Sequence, residues 1–330
     1  MQPPSTTLRR VLVRVGREAK VWPGLAIAAL LAACGGGGWD GGGGTAVTTT
    51  PPACAAGSDW DGSACVSFAE RSVERMPTPW IEQGVPLTLE LVVYRPLGSA
   101  GPRPVLVFHH GSTGNGDDPA AFRITFESQA LAREFTTRGF VVLFPQRRGR
   151  GQSDGVYDEG FDADRSRYAC TRTAALPGLE RALQDAEVIN QQVRLRPDID
   201  PSRTIVGGFS RGGLIALMHA ARTPAVYRGV INFVGGWLGQ TCVDAGTVNR
   251  IAAVQAAAGA VPGLWLYGEN DPFYTLTDSR GHLDSFVQAG GRGRWLALRR
   301  ADPAASGHLV HTEPALWQAA MTDFMGSVLP

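Results

Sequence analysis

The chain contains a serine between glycines, Gly208-x-Ser210-x-Gly212, in a setting that favours nucleophilic chemistry. Residues 204–209 before this serine are mostly apolar, and residues 214–221 after it have the composition of a helix. A strand that turns sharply into a helix holds a serine hydroxyl exposed on a strained turn. Glycines are needed there because a side chain would collide with the neighbouring strand or with the start of the helix. We therefore predict that Ser210 is a nucleophile.

A serine of this kind needs two partners. Its hydroxyl is a poor nucleophile at neutral pH, so a base must take its proton and a carboxylate must orient that base. The apolar run at residues 264–267 is followed by a glycine turn and then by Asp271. This position after a strand makes Asp271 the predicted acid, with Glu269 as the competing choice and Asp278 as a more distant one.

The predicted base is His308. Residues 294–299 form the last predicted strand, and His308 follows in a loop after Gly307. His311 is its main rival, because only chain order and loop placement separate the two. His219 falls in the helix behind Ser210, where we expect a packed or surface side chain.

Strands and helices alternate from about residue 87, which is typical of a largely parallel sheet with helices on both faces. The predicted strands cover residues 87–94, 105–108, 140–144, 204–209, 230–234, 264–267 and 295–298. The predicted helices cover residues 119–138, with Asp118 as the N-cap, and residues 179–195, 214–221 and 314–328.

This order of strand, Gly-x-Ser-x-Gly, helix, acid and histidine resembles the α/β-hydrolase fold over residues 85–330. With His109-His110-Gly111, the serine motif is similar to the dienelactone-hydrolase and prolyl-oligopeptidase-like branch of exported bacterial hydrolases. The resemblance implies a mostly parallel twisted sheet and a serine hydrolase that needs no metal or organic cofactor. Its expected substrate is a small carboxylic ester that reacts through an acyl-enzyme. Short peptides are the alternative substrate, and a non-catalytic binding lipoprotein is the alternative from another class.

A hydrolase of this kind stabilises the developing oxyanion with donors held in place before reaction. The backbone N–H of Arg211, directly after the nucleophile, is one predicted donor. The second is expected from the loop after the strand at residues 105–108, where His110-Gly111-Ser112 matches the family's His-Gly-x element. The N–H of Ser112 is the first candidate and that of Gly111 the next. This glycine-rich loop lacks the Gly-Lys-Ser/Thr ending of a phosphate loop.

The N-terminus has the pattern of a lipoprotein export signal. Five basic residues precede an apolar run at residues 24–33, which ends at Cys34 in a lipobox-like sequence. We predict a signal peptide over residues 1–33, lipid attachment at Cys34 and a flexible Gly/Thr/Pro tether over residues 34–53. No aspartate follows the cysteine, which favours the periplasmic face of the outer membrane over that of the inner membrane.

The other cysteines predict disulfides, because an exported protein meets an oxidising compartment. Cys54 and Cys65 bracket a short polar loop, so their bridge would staple a small segment at residues 54–84. Cys170 and Cys242 are then the remaining pair among three possible pairings. A metal site is not expected, because no Cys-x-x-Cys or histidine spacing accompanies them.

Charge composition excludes several function classes. Lys20 is the only lysine among the 330 residues, so the mature chain offers no P-loop, Schiff-base or Ser-Lys lysine. From residue 34 onward there are 26 arginines and 29 carboxylates, without a basic patch. Nucleic acid is therefore not an expected partner.

Two long connections, residues 146–177 and 235–262, follow strands at the sheet edge where open α/β sheets bind ligands. Each carries one cysteine of the second predicted disulfide, so we interpret them as tied walls of a substrate pocket. The first contains Arg147-Arg148-Gly149-Arg150. We interpret these arginines as a solvated loop paired with nearby acidic residues and do not assign them to the site.

Overall fold

The computed structural model describes residues 52–329, so the predicted signal peptide, Cys34 and nearly all of the predicted tether lie outside the described residues. The strands are β1 (Ser58–Trp60), β2 (Cys65–Ser67), β3 (Ala69–Glu82), β4 (Val85–Pro96), β5 (Arg103–His109), β6 (Val141–Pro145), β7 (Ile199–Phe209), β8 (Tyr227–Phe233), β9 (Gly263–Gly268) and β10 (Gly293–Leu298). The helices are α1 (Pro119–Phe122), α2 (Gln129–Thr136), α3 (Arg172–Arg194), α4 (Arg211–Arg222), α5 (Ala245–Ala257), α6 (Leu276–Gln288) and α7 (Gln318–Val328). Two 3₁₀ turns, Gly307–Thr312 and Pro314–Leu316, precede α7.

Eight of the strands form one sheet, in the order β10-β9-β8-β7-β5-β6-β4-β3. Neighbouring strands from β10 to β6 are parallel, whereas β4 pairs antiparallel with both β6 and β3. The central strands have continuous apolar runs because both faces of a parallel sheet are covered. The predicted fold class, a mostly parallel twisted sheet with helices on both faces, is confirmed.

Helices cover both faces because side chains alternate along each strand. On β8, a Cβ added at Gly229 would lie 2.9 Å from the Phe324 ring of α7. Asn232 points to the other face, where its Oδ1 would lie 2.4 Å from a Cβ at Gly213 of α4. Helices α3 and α5 pack beside α4, and α6 packs beside α5.

The N-terminal part of the described chain differs from the sequence prediction. β1 and β2 form a separate antiparallel hairpin, which the Cys54–Cys65 disulfide closes. β3, however, pairs along its length with β4 and is an edge strand of the main sheet. The predicted boundary between residues 84 and 85 therefore falls in the turn of a long hairpin. Polar side chains on the exposed face of β3 conceal the strand from a search for apolar runs.

The predicted helix over residues 119–138 is two helices. α1 begins with Asp118 as its N-cap, as predicted, but it ends at Phe122. The chain then leaves the helical path, and the side-chain amide of Gln146 satisfies the backbone between the two helices by accepting from the N–H of Phe126 and donating to its C=O. Ser128 caps α2, which restarts the helix.

A second disulfide joins Cys170 to Cys242, so both disulfides predicted from the sequence are present in the structure. It connects the segment before α3 to the segment before α5, which are 72 residues apart in the chain. Among the helices of residues 52–329, none combines the length and apolar character that membrane crossing requires.

We expect the Cys170–Cys242 disulfide to stabilise the fold strongly, because it closes a loop with a sequence separation of 72. In the chain-entropy model, its removal by a double Cys→Ala substitution lowers the free energy of unfolding by about 4 kcal/mol. Denaturant unfolding of both proteins measures this difference. The matched control is the double Cys→Ala variant of Cys54 and Cys65, whose separation is only 11, and it should lose less. An equal or larger loss in the control would contradict the expectation.

Candidate active site

Ser210 lies on a sharp turn between β7 and α4. Its φ of 55° and ψ of −130° lie outside the regions that non-glycine residues prefer, at a cost of about 1–3 kcal/mol. A Cβ at Gly208 would lie 2.2 Å from the carbonyl oxygen of Gly212, and a Cβ at Gly212 would lie 2.1 Å from that of His109. The two glycines thus allow β7, α4 and the end of β5 to meet behind the serine.

Asp271 and His308 are hydrogen-bonded to each other. The Nδ1 of His308 lies 2.9 Å from the Oδ2 of Asp271, whose side chain is fully buried. The Oδ1 of Asp271 accepts from the N–H groups of Phe273 and Tyr274, at 2.8 and 3.1 Å. Because Nδ1 donates to the carboxylate, Nε2 carries the lone pair that a base requires.

The ring of His308 faces the same cavity as Ser210. It lies between the rings of Phe273, Tyr274 and Phe209, at centroid distances of 4.8, 5.8 and 6.0 Å. Within residues 52–329, no hydrogen bond joins the imidazole to the serine hydroxyl. Such bonds are often long in structures without substrate and tighten in the reacting complex.

The alternative acid and base candidates have other partners. His311 is buried and stacks on Phe209 at 4.3 Å, with no hydrogen bond at Nδ1 in the described structure. Burial, with a smaller effect of His308, lowers the pKa of His311 from 6.5 to about 3. Glu269 lies 3.6 Å from Arg299 at the surface, and Asp278 accepts from Thr275 at the start of α6.

The predicted oxyanion donors lie on two sides of Ser210. Arg211 is the first residue of α4, and first-turn N–H groups have no partner within their own helix. Gly111 lies so close to the turn that holds Ser210 that a Cβ at Gly111 would lie 3.0 Å from the Cβ of Ser210. Ser112 lines the cavity beside Ser210. In the described residues, neither Gly111 nor Ser112 donates its N–H to a backbone carbonyl.

The cavity at Ser210 has a volume of about 660 Å³. The two long connections supply much of its wall, through residues 162–171 and 237–242, and the Cys170–Cys242 disulfide lies between them. Residues 112–117 and the pair Phe273 and Tyr274 contribute the remaining sides. Among the described residues, no group of three or more histidine, cysteine or acidic side chains could hold a metal ion.

The arginines of residues 147–150 are buried, so their interpretation as a solvated loop is wrong. Arg147, Arg148 and Arg150 are 1%, 5% and 4% exposed. Arg147 pairs with the buried Glu159, and Arg148 pairs with Asp185 of α3. Glu159 is a nearby acidic partner of the kind expected for these arginines, but its pair with Arg147 is enclosed by the fold, and Asp185 comes from a distant helix.

Two further residues of the site were missed. The hydroxyl of Tyr274 donates to the carbonyl of Gly236 at 2.7 Å, and burial raises the pKa of this tyrosine, which keeps it neutral. Phe273 is 37% exposed and its ring lies beside His308. Their positions two and three residues after the predicted acid were the only available signal.

Part of the chain matches a known protein family. The family model described as "Serine aminopeptidase, S33" matches residues 125–241. This segment includes Ser210 and the buried arginines, but it ends before Asp271 and His308. It covers about a third of the chain.

Among curated proteins, the chain is similar to poly(3-hydroxyalkanoate) depolymerase C of Paucimonas lemoignei, with 24% identity over 151 residues. The match covers 46% of this chain and 32% of that relative, so the chain spans about a third of the relative's length. Similar solved structures include a dienelactone hydrolase-like promiscuous phosphotriesterase from metagenomic libraries, at TM-score 0.51 and 20% identity. It covers 78% of this chain and 98% of that chain. An acetyl xylan esterase from a Paenibacillus species aligns at TM-score 0.51 and 15% identity, over 79% and 89% of the two chains.

The burial of His311 predicts a pH effect on stability. Its pKa is about 3 in the folded chain and near 6.5 when exposed. Between these values only the unfolded chain binds the proton, so folding stability falls as the pH falls from about 6.5 towards 3. Replacing His311 by Phe, which keeps a ring against Phe209, removes this contribution.

The loss of unfolding free energy between about pH 7.5 and pH 5 should be about 2 kcal/mol smaller in His311→Phe than in the parent. Denaturant titrations of both proteins at the two pH values measure it. Equal losses would show that His311 does not titrate in this way.

Proposed function

We propose that this chain, which has the fold of the α/β hydrolases, is a serine hydrolase that cleaves small carboxylic esters through an acyl-enzyme. Ser210 is the proposed nucleophile, His308 the base and Asp271 the residue that orients the base. The N–H groups of Arg211 and of Ser112, with Gly111 as the alternative, are the proposed oxyanion donors. Ser112, Ser210, Arg211 and His308 line the cavity, and Asp271 is hydrogen-bonded to His308.

In the proposed reaction, Nε2 of His308 takes the proton of Ser210 as the serine oxygen attacks the ester carbonyl. Asp271 holds Nδ1–H and stabilises the imidazolium that forms. The negative charge on the carbonyl oxygen is met by backbone N–H groups that do not have to reorganise. His308 then donates its proton to the leaving alcohol, and an acyl-enzyme remains. In the second half of the reaction, His308 takes a proton from water as the water attacks the acyl carbonyl, and it returns this proton to Ser210 as the product acid is released.

The observation that carries the proposal is the hydrogen bond between Asp271 and His308, together with the strained Ser210 on the same cavity. A structural histidine would not need a fully buried carboxylate at Nδ1 and an open face towards a cavity. Strained backbone clusters at functional sites, which supports a reactive role for the serine.

Hydrolysis of short peptides is the second candidate, because the matching family model is described as a serine aminopeptidase. An aminopeptidase needs an acidic group near the nucleophile for the free amino terminus of its substrate. The cavity contains Asp117 and Asp162, but Asp162 is paired with Arg167 at 3.0 Å. Esters require no such group, and the similar acetyl xylan esterase and depolymerase by their names act on esters. Ester hydrolysis is therefore preferred.

The proposal predicts a large and specific loss of activity in the site variants. Ser210→Ala should abolish labelling by a fluorophosphonate probe and lower kcat on p-nitrophenyl esters by about 10⁴-fold or more. Asp271→Asn should lower kcat by about 10⁴-fold, because it favours the wrong imidazole tautomer. His308→Ala should be similarly inactive, whereas His311→Phe should keep most of the parent activity.

The same measurements separate the alternatives. A panel of p-nitrophenyl esters and aminoacyl anilides distinguishes an esterase from a peptidase. Full activity of His308→Ala would refute the assignment of the base. If the folded parent neither turns over any of these substrates nor is labelled at Ser210, the chain is instead a binding protein that has kept the fold.

We also propose that the mature protein is a lipoprotein that begins at Cys34 and is anchored at the periplasmic face of the outer membrane. Two acyl chains on one cysteine suffice for stable anchoring. Mass spectrometry of the mature N-terminus should find a diacylglyceryl-modified Cys34. The Cys34→Ser variant should move from the membrane fraction to the soluble periplasmic fraction with its hydrolase activity intact. An unmodified cysteine would contradict the proposal.

A further inference from the structure

A buried chain of charges connects the two sides of the proposed oxyanion hole. It consists of Arg147, Glu159 and Arg211, which are 1%, 2% and 3% exposed. The Nε of Arg147 donates to Oε1 of Glu159 at 2.5 Å. Nη1 of Arg211 donates to the carbonyl oxygen of Glu159 at 3.0 Å and lies 3.5 Å from Oε2. One acidic residue thus holds two arginines from different parts of the chain.

On one side of this chain, Arg147 holds the loop that follows β5. Its Nη1 donates to the carbonyl of His110 at 2.9 Å, and its Nη2 lies 3.5 Å from the carbonyl of Gly111. Arg150 donates to the same Gly111 carbonyl at 3.2 Å. In a trans peptide, the C=O of one residue and the N–H of the next lie in one plane and point in opposite directions. Holding the carbonyls of residues 110 and 111 therefore fixes the N–H directions of Gly111 and Ser112.

On the other side, Arg211 fixes the start of α4. Its guanidinium lies 3.8 Å from the ring of Tyr168 and 4.4 Å from that of Trp237, and Nε donates to the Trp237 carbonyl at 3.1 Å. The side chain is therefore held by two aromatic rings and by a backbone carbonyl. The backbone N–H of Arg211 is the proposed oxyanion donor on this side of Ser210, so fixing the side chain restrains that donor.

The geometry points to a positioning bridge: Arg147, Glu159 and Arg211 orient the oxyanion donors on both sides of Ser210 towards one another. This inference rests on the proposed function, because it assigns a role in the same reaction. The side chains of the three residues contact no reacting atom, so they act as positioning groups, and only the backbone N–H of Arg211 is itself a proposed donor. Their buried state suits the task, since Arg presents a rigid planar fork that holds two acceptors at once, which Lys cannot do.

The matched control lies next to the bridge. Arg148 is also buried and also paired with a buried carboxylate, Asp185, at 2.5 Å. Its guanidinium stacks on Trp80 and has no hydrogen bond to residues 109–112 in the described structure. A substitution here disturbs a similar ion pair in the same loop without reaching the donors.

The test compares Arg147→Lys and Glu159→Gln with Arg148→Lys and Asp185→Asn. The readouts are kcat/KM on a p-nitrophenyl ester, the affinity for phenylboronic acid, which forms a tetrahedral adduct on serine, and the affinity for the product acid. We expect Arg147→Lys and Glu159→Gln to lower kcat/KM by about 10- to 100-fold, because small misplacements of catalytic groups cost about that much. Boronate affinity should fall in parallel, and product affinity should stay within about twofold, since binding of the ground state does not use the donors.

Stability and charge effects are separable in this design. The control variants should lose comparable thermal stability but keep kcat/KM within about twofold of the parent, as expected for structural ion pairs remote from the donors. Arg147→Lys keeps the positive charge beside Glu159, so this variant tests the positioning bridge by itself if Glu159→Gln does not fold. Glu159→Gln increases the net positive charge near the oxyanion, so a purely electrostatic role would leave or raise its activity, whereas a positioning role lowers it.

Parent-like kcat/KM and boronate affinity in folded Arg147→Lys would overturn the bridge and leave the proposed function standing. Equal losses in Arg147→Lys and Arg148→Lys would also overturn it, because a general effect of the loop would then explain both. A parent protein that is neither labelled at Ser210 nor active on esters or anilides would overturn the proposed function and the bridge together.

Discussion

The close approach of three backbone segments at Ser210 is the constraint on which the site depends. Gly208 and Gly212 lie where any Cβ would overlap a neighbouring backbone oxygen, and Gly111 lies directly against the serine. With no side chains between them, β7, α4 and the loop after β5 fix one another's positions. The strained φ of Ser210 persists because the surrounding structure leaves the chain no alternative path. The order of the strands in the sheet then determines which side chains lie near Ser210.

Parallel strands explain why residues far apart in the sequence meet there. β7, β8 and β9 run in the same direction, so their C-terminal ends share one edge of the sheet. The loop after β9 supplies Asp271, and the 3₁₀ turn after β10 supplies His308. A Cβ at Gly268 would lie 2.2 Å from the carbonyl of Gly307, so these two connections are themselves in backbone contact. The Asp271–His308 hydrogen bond is a consequence of that contact.

Local sequence patterns predict much of the fold. The strands β4 to β10 appear as apolar runs, and the serine motif, the acid and the histidine follow strands in a fixed order. β3 was not predicted because its exposed face is polar. The break between α1 and α2 was not predicted because its backbone is hydrogen-bonded by a distant residue, Gln146. The burial of the Arg147–Glu159 ion pair could not be predicted from the sequence either. The spacing of charged residues in an irregular loop does not show which of them are buried in the folded chain.

These buried charges also limit what can vary in the cavity. The rings of Tyr168 and Trp237 both contact the guanidinium of Arg211, and Phe209 stacks on Phe126 and His311. Because these rings pack against other parts of the protein, substituting them would disturb the turn that holds Ser210. Phe273 differs, because it is 37% exposed and contacts His308 at the mouth of the cavity. In the proposed hydrolase, selection among substrates falls to Phe273 and to the polar residues of the rim, while the inner wall keeps the geometry of the proposed reaction.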